Sequence, residues 1–165
     1  MAGVDRFEDL VAWQLCVALK DAAFELTSTG PSARDFQFRD QIRDATSSAP
    51  RLLAEGFGRF QPRDFARFCR MARGSLDETR NHVHDARTKK YFDGNDCDRL
   101  LHLCKRASIA TTRLLNYLLS PEAERWHRAR SSGSTGSTGS TGSKGSKGAS
   151  GSSGSAGRKA RTPRT

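Results

Sequence analysis

Long apolar runs are missing from this chain. No stretch approaches the roughly 18 residues needed to span a bilayer, so no membrane partner is expected. Asp5, Glu8 and Asp9 interrupt the N-terminal region before an apolar segment can build up, which argues against a secretory leader and makes the cytoplasm the expected compartment. Paired cysteines are missing too. Cys16, Cys69, Cys97 and Cys104 include no C-x-x-C, so reduced and mostly buried thiols are expected in place of a disulfide framework. Cys97 and Cys104 are seven apart and share a helix face as small hydrophobes. There is no Gly-rich phosphate loop, nucleophile elbow or H-E-x-x-H. His82 and His84 are two apart, so they point to different helix faces, and neither has a Cys or carboxylate at ligand spacing. These absences leave no expected catalytic residue, metal or cofactor, and an enzyme becomes the remotest reading.

Acids are missing from the last part of the chain. Of the 28 Lys and Arg, six lie beyond residue 130 with no acid among them: Lys144, Lys147, Arg158, Lys159, Arg161 and Arg164. That leaves 22 basic residues against 18 acids in the body, about +4 of the formal +10. The balance favours polyanionic partners. From Ser131 the chain repeats Gly-Ser-Thr and then Gly-Ser-Lys, a composition that cannot offset its own ordering entropy. Residues 131–165 are therefore expected to form a disordered basic tail, either a native arm that seeks polyanions or a designed linker. One domain's worth of core remains, in residues 1–130.

What is present is helical periodicity. A first helix is expected from about Phe7 to Ser28, apolar over more than one stripe through Leu10, Val11, Trp13, Leu15, Val17, Leu19, Ala22 and Phe24. A single bundle needs one buried face per helix, so the surplus points to a subunit interface. Thr29, Gly30 and Pro31 close it. A second helix starts at the capping residues between Ser32 and Asp35, a third runs from Pro62 to about Tyr91, and a fourth follows the turn Asp93, Gly94 and Asn95 and ends near Ser120. Residues 121–130 add a short basic helix with Trp126 as anchor. The expected fold class is all-α, an antiparallel up-down-up-down four-helix bundle with a disordered basic C-terminal tail.

Residues 41–59, QIRDATSSAPRLLAEGFGR, organise the rest. Ile42, Ala45, Ala49, Leu52 and Leu53 make one apolar stripe, and Pro50 interrupts it. A kink is expected there, with Ser47 and Ser48 hydroxyls serving freed backbone groups. Gly56 and Gly58 are expected at a helix end in positive φ. Glu55, near the helix end, should reach water, pair with an Arg or cap a neighbouring helix; it and Glu78 are also the carboxylates suspected of burial, in structural roles with Arg43 or a helix terminus. Gln41, Pro50, Glu55, Gly56, Gly74 and Glu78 are thus assigned to structure, not to a ligand.

The binding candidate is a row of arginines. Arg59, Arg63, Arg67 and Arg70 follow steps of four, four and three and share one face of the third helix, and Arg73, Arg80, His84 and Arg87 extend the charge along it. Such a row tracks a phosphate backbone without reading sequence. The competing reading is a solvated face neutralised by Asp64, Asp77 and Asp85. Phe57, Phe60, Phe65 and Phe68 interleave the row; they are expected in the core, with base stacking as the alternative.

FEDLVAWQ at 7–14, DQIRDATSSAP at 40–50, LAEGFGR at 53–59 and DFARFCRMARGSLDE at 64–78, in that order, resemble the bacterial four-helix-bundle proteins encoded in ribosomal-RNA intervening sequences. The resemblance covers about residues 6–119 and implies a bundle that assembles into a homopentamer. Relatives include the accessory protein of diversity-generating retroelements, which implies nucleic acid and a reverse transcriptase as partners. This chain has Leu52 where the family usually has Asn. Three readings stay open: an oligomeric nucleic-acid-binding scaffold, an adaptor between proteins, and remotely an enzyme.

Overall fold

The computed structural model describes residues 4–59 and 61–133, except the side chains of Trp126 and of residues 129–133. Phe7–Asp9 form one 3-10 turn, and buried Leu10 takes extended backbone before α1, Val11–Leu26, begins. The expected single helix from Phe7 is therefore split. The Gln14 side chain closes the joint by donating to the Glu8 carbonyl at 2.9 Å. Gly30, at φ +73, opens the short α2, Gly30–Arg34. Asp35 then caps α3, Phe36–Gly58, accepting the Phe38 N–H at 3.0 Å. Pro62 begins α4, Pro62–Thr88; Asp93 caps α5, Gly94–Leu118, through the Asp96 N–H at 2.7 Å; α6 is Pro121–Gly133. α6 runs three residues past Arg130, the end assigned to the body from sequence.

α1, α3, α4 and α5 are the four helices of the bundle. α3 packs on α4, α4 on α5, α5 on α1 and α1 on α3, so α1 lies diagonal to α4. Leu19, Ile42, Leu53, Leu76, Val83 and Leu100 are fully buried between them. Each such side chain contributes about 1.5–3 kcal/mol on leaving water. All four cysteines are free and buried, as the sequence implies. Burial pushes the Cys16, Cys69 and Cys104 thiols up to about 12 from an ordinary value of 9.0. A folded pKa raised in this way gives stability that is complete below about pH 9 and is lost as the pH rises toward 12. Denaturation midpoints should therefore fall over that window, and less steeply in Cys69→Ala than in the parent.

The helix expected to run through Pro50 forms: α3 is continuous and Pro50 is buried. Several other structural assignments change. Ser48 does not serve the freed backbone: its hydroxyl accepts from Ser75 of α4 at 2.9 Å, while Thr46 back-bonds to the Ile42 carbonyl at 2.8 Å. Among the described glycines only Gly30 has positive φ, so neither Gly56 nor Gly58 is a left-handed cap. Gly56 matters for space. A Cβ there would stand 2.5 Å from Phe65 Cδ2 and 2.7 Å from Phe68 Cβ, so glycine sets the closest approach of α3 to α4. Glu55 and Glu78 are exposed, not buried. Arg43 pairs with neither; its Nε donates to Thr27 Oγ1 at 2.8 Å and its guanidinium lies 4.8 Å over the Phe24 ring, tying α3 to α1. Gln41 is exposed and Gly74 has open space at its Cβ position, so neither holds the fold together.

The α4–α5 connection contains Lys90 at φ 57, the left-handed region. The Tyr91 N–H returns to the Ala86 carbonyl at 2.9 Å, a helix-closing pattern that favours glycine at Lys90. Lys90→Gly is accordingly expected to raise stability by about 1 kcal/mol, read from the urea midpoint. A lowered midpoint would contradict it.

Candidate nucleic-acid interface

The predicted arginine row is only partly assembled. Arg59 does not belong to α4: it is the C-terminal cap of α3, because Gln61 is extended and α4 restarts at Pro62. Its guanidinium binds Glu55 at 2.7 Å and lies 5.4 Å over the Phe68 ring. Arg63 stands in the first turn of α4 and pairs with Glu124 of α6 at 2.9 Å. Arg67, Arg70 and Arg73 are different. All three are exposed, and none has an ion pair or hydrogen bond among the described residues.

Charge does not continue down the same face. Steps of three and four carry the outward face of α4 from Arg67 and Arg70 to Asp77, Glu78 and Asp85, so its C-terminal half is acidic. Arg80 and Arg87 sit on the flank turned to α5, where Arg80 pairs with Asp77 at 3.3 Å and Arg87 with Asp98. Of the three acids expected to neutralise the row, only Asp77 forms an ion pair. Asp64 and Asp85 form none among the described residues.

Phe65 is buried with its ring edge-on to Phe57 at 6.1 Å, and Phe57 and Phe68 are half-buried against the core. These rings are structural. Phe60 lies outside the described residues, as do Lys144, Lys147, Arg158, Lys159, Arg161 and Arg164 of the tail. Leu52 is half-buried against the core, so the departure at that position puts an apolar side chain into packing.

One group of cations escaped the sequence reading. Lys105, Arg106 and Arg113 of α5 are exposed and make no ion pair among the described residues. Between Asp98 and Glu122 the chain has no acid, and that gap is the signal available in the sequence. Arg99, on the same helix, reaches only to 3.9 Å from Glu25 of α1. The antiparallel register is given by Arg87 beside Cys97 and Asp98, and by Arg80 within electrostatic range of Cys104. Arg73 therefore stands near the level of Thr111 to Arg113.

Other chemistry is sparse. A shallow cleft between α4 and α6 is lined by Gln61, Pro62, Arg63, Glu124, His127 and Arg128. His82 turns its ring edge to Phe38 at 6.3 Å with Glu78 at 4.0 Å, while His84 is exposed. Among the described residues no three His, Cys, Asp or Glu side chains converge as a metal site would require. Among the described residues no helix is long and apolar enough to cross a membrane.

No curated protein matches this chain as a relative. The profile of one family, described as 23S rRNA-intervening sequence protein, matches residues 8–112, from the 3-10 turn through most of α5. That span contains α1, α3, α4 and the greater part of α5, so by its sequence and by the bundle those helices form, the chain belongs to the 23S rRNA-intervening sequence protein family.

Proposed function

We propose that the protein is a non-enzymatic, self-associating helical scaffold of the cytoplasm that binds RNA or DNA through the N-terminal half of α4. The observation that carries this reading is the group Arg67, Arg70 and Arg73, three exposed and uncompensated cations within two turns of one helix. Guanidinium groups so placed exchange water and counterions for phosphate oxygens without breaking an internal pair. The unpaired cations of α5 support the same reading.

Self-association is supported by apolar side chains left on a different part of the bundle. Val11 is 63% exposed and Phe36 65%, at the starts of α1 and α3, and Phe24 lies on the α1 surface. A second copy seated on α1 leaves α4, the diagonal helix, open to ligand. A closed ring, with five copies as the expected number, repeats the arginine group and adds avidity to weak contacts.

Filter binding of a labelled nucleic acid across a salt series tests the reading. Three phosphate contacts predict that log K falls with log salt at a slope of roughly −2 to −3, steeper if the tail or neighbouring copies join. An undetectable complex at low salt, or one that barely responds to salt, would favour an adaptor whose partner is a protein.

A further inference from the structure

Phosphate binding at the α4 arginines uses only half of that helix's outward face. Arg67, Arg70, Gly74, Glu78, Asn81 and Asp85 recur at steps of three and four and form one exposed stripe, basic before Gly74 and acidic after it. A phosphate strand laid along the stripe would leave the arginines and run onto the carboxylates. The two halves do not neutralise each other within the chain either. Arg70 and Glu78 are two turns apart, about 12 Å along the helix, and Arg67 and Arg70 have no ion pair among the described residues. Among those residues Glu78 meets only the His82 ring at 4.0 Å, and Asp85 only the Asn81 amide at 3.5 Å.

Read in reverse, the stripe is complementary to itself, and we infer that α4 pairs antiparallel with α4 of a second copy about a two-fold axis at Gly74. This goes beyond the nucleic-acid reading and does not depend on it. Residues equally spaced on either side of Gly74 face each other across such an axis. Arg70 then stands opposite Glu78 of the second copy, and Arg67 opposite its Asn81 with its Asp85 one turn on. Two-fold symmetry makes each of these contacts twice. A parallel pair would set arginine against arginine and carboxylate against carboxylate, so charge fixes the direction.

Gly74 supplies the close approach. It is exposed and nothing lies within 4 Å of a Cβ placed there, so a second helix can come to the short end of the roughly 8–10 Å range of packed axes. Met71, one turn before it and 47% exposed, leaves a flexible apolar side chain at the edge of the contact. α1 lies diagonal to α4, so a contact made through α1 does not cover this stripe. Exposed ion pairs are weak and screened by salt, so the α4 pair forms in concentrated protein at low salt and is dissociated in a dilute binding assay. Nucleic acid and the second copy therefore compete for Arg67 and Arg70.

The test is disulfide trapping with full-length Gly74→Cys. The four native cysteines are free and buried, which leaves position 74 as the exposed thiol. With Cα atoms about 2.3 Å from each axis and axes about 8–10 Å apart, the two position-74 Cα atoms come within about 6 Å, a distance a disulfide spans. Under diamide at about 50 mM salt, Gly74→Cys should form covalent dimers at least about tenfold faster than Lys105→Cys, an exposed position on α5, and should lose most of that advantage at about 500 mM salt. Adding Arg67→Glu with Arg70→Glu to the Gly74→Cys chain should slow trapping at least about tenfold, and so should adding Glu78→Arg with Asp85→Arg. Mixing these two altered chains, one stripe now wholly acidic and the other wholly basic, should restore the fast rate. Trapping at position 74 no faster than at position 105, a rate that neither pair of reversals changes, or a mixture that stays slow overturns the inference. Each of those results leaves the nucleic-acid reading standing, since that reading is decided by its own salt series.

Discussion

Replacing Arg67, Arg70 and Arg73 together by Glu should lower affinity for nucleic acid by at least about 100-fold at moderate salt. Each change removes one phosphate contact and adds a like charge, so the salt slope should also fall by about two to three. The fold should barely notice. All three side chains are exposed and unpaired, and surface changes of this kind usually shift stability by no more than about 0.5 kcal/mol. Melting temperature and oligomer mass therefore serve as controls. The same charge reversal at Arg59 and Arg63 makes a sharper comparison: these two are already engaged, with Glu55 at 2.7 Å and Glu124 at 2.9 Å, and their loss should cost much less binding. A variant at Arg67, Arg70 and Arg73 that binds like the parent would reduce the row to a solvated face.

The second large effect belongs to the fold. Gly56→Ala places a methyl group 2.7 Å from Phe68 Cβ, an atom fixed to the α4 backbone that cannot swing aside. The helices must separate or Phe65 must leave its place. Overpacking of this sort costs about 1–3 kcal/mol, and the gain of up to about 1 kcal/mol in helix propensity offsets only part of it. A net loss of about 1–2 kcal/mol in urea denaturation is expected. Gly74→Ala supplies the contrast, since nothing lies within reach of its Cβ and propensity alone decides. That variant should be more stable than the parent. A Gly56→Ala protein as stable as the parent would mean that the α3–α4 contact has slack.

The bundle was legible because its information is local and periodic. Ile42, Ala45, Ala49 and Leu53 recur at helical spacing and are buried; Asp35 and Asp93 sit where caps are needed and accept the expected N–H groups. The boundaries were harder. The break between Gly58 and Pro62 fell where glycine and proline mark it, but Leu10 breaks what the hydrophobic pattern alone leaves continuous, because a single extended residue changes no periodicity.

The site was legible in kind and only partly in membership. Arg59 followed the spacing of the row, but a helix break two residues later moved it to α3. Arg63 fell out through an acid 61 residues away in sequence, which no local pattern predicts. Glu55 and Glu78 were suspected of burial, yet both lie on the solvent side of their helices, where Glu55 finds the Arg partner expected for it in Arg59, one turn on. Lys105, Arg106 and Arg113 went unnoticed for the opposite reason: they are scattered along a helix read for its apolar stripe, and only the fold shows them exposed and without an ion pair among the described residues.

In the proposed function the folded surface, and not the basic segment after residue 130, is the principal nucleic-acid site. The most direct test is crosslinking of the full chain to bound nucleic acid, followed by mass spectrometric mapping of the modified peptides. Crosslinks concentrated in residues 62–73, with only a minor share after residue 134, are the predicted result. A map confined to the segment after residue 134, with α4 and α5 unmodified, would contradict it.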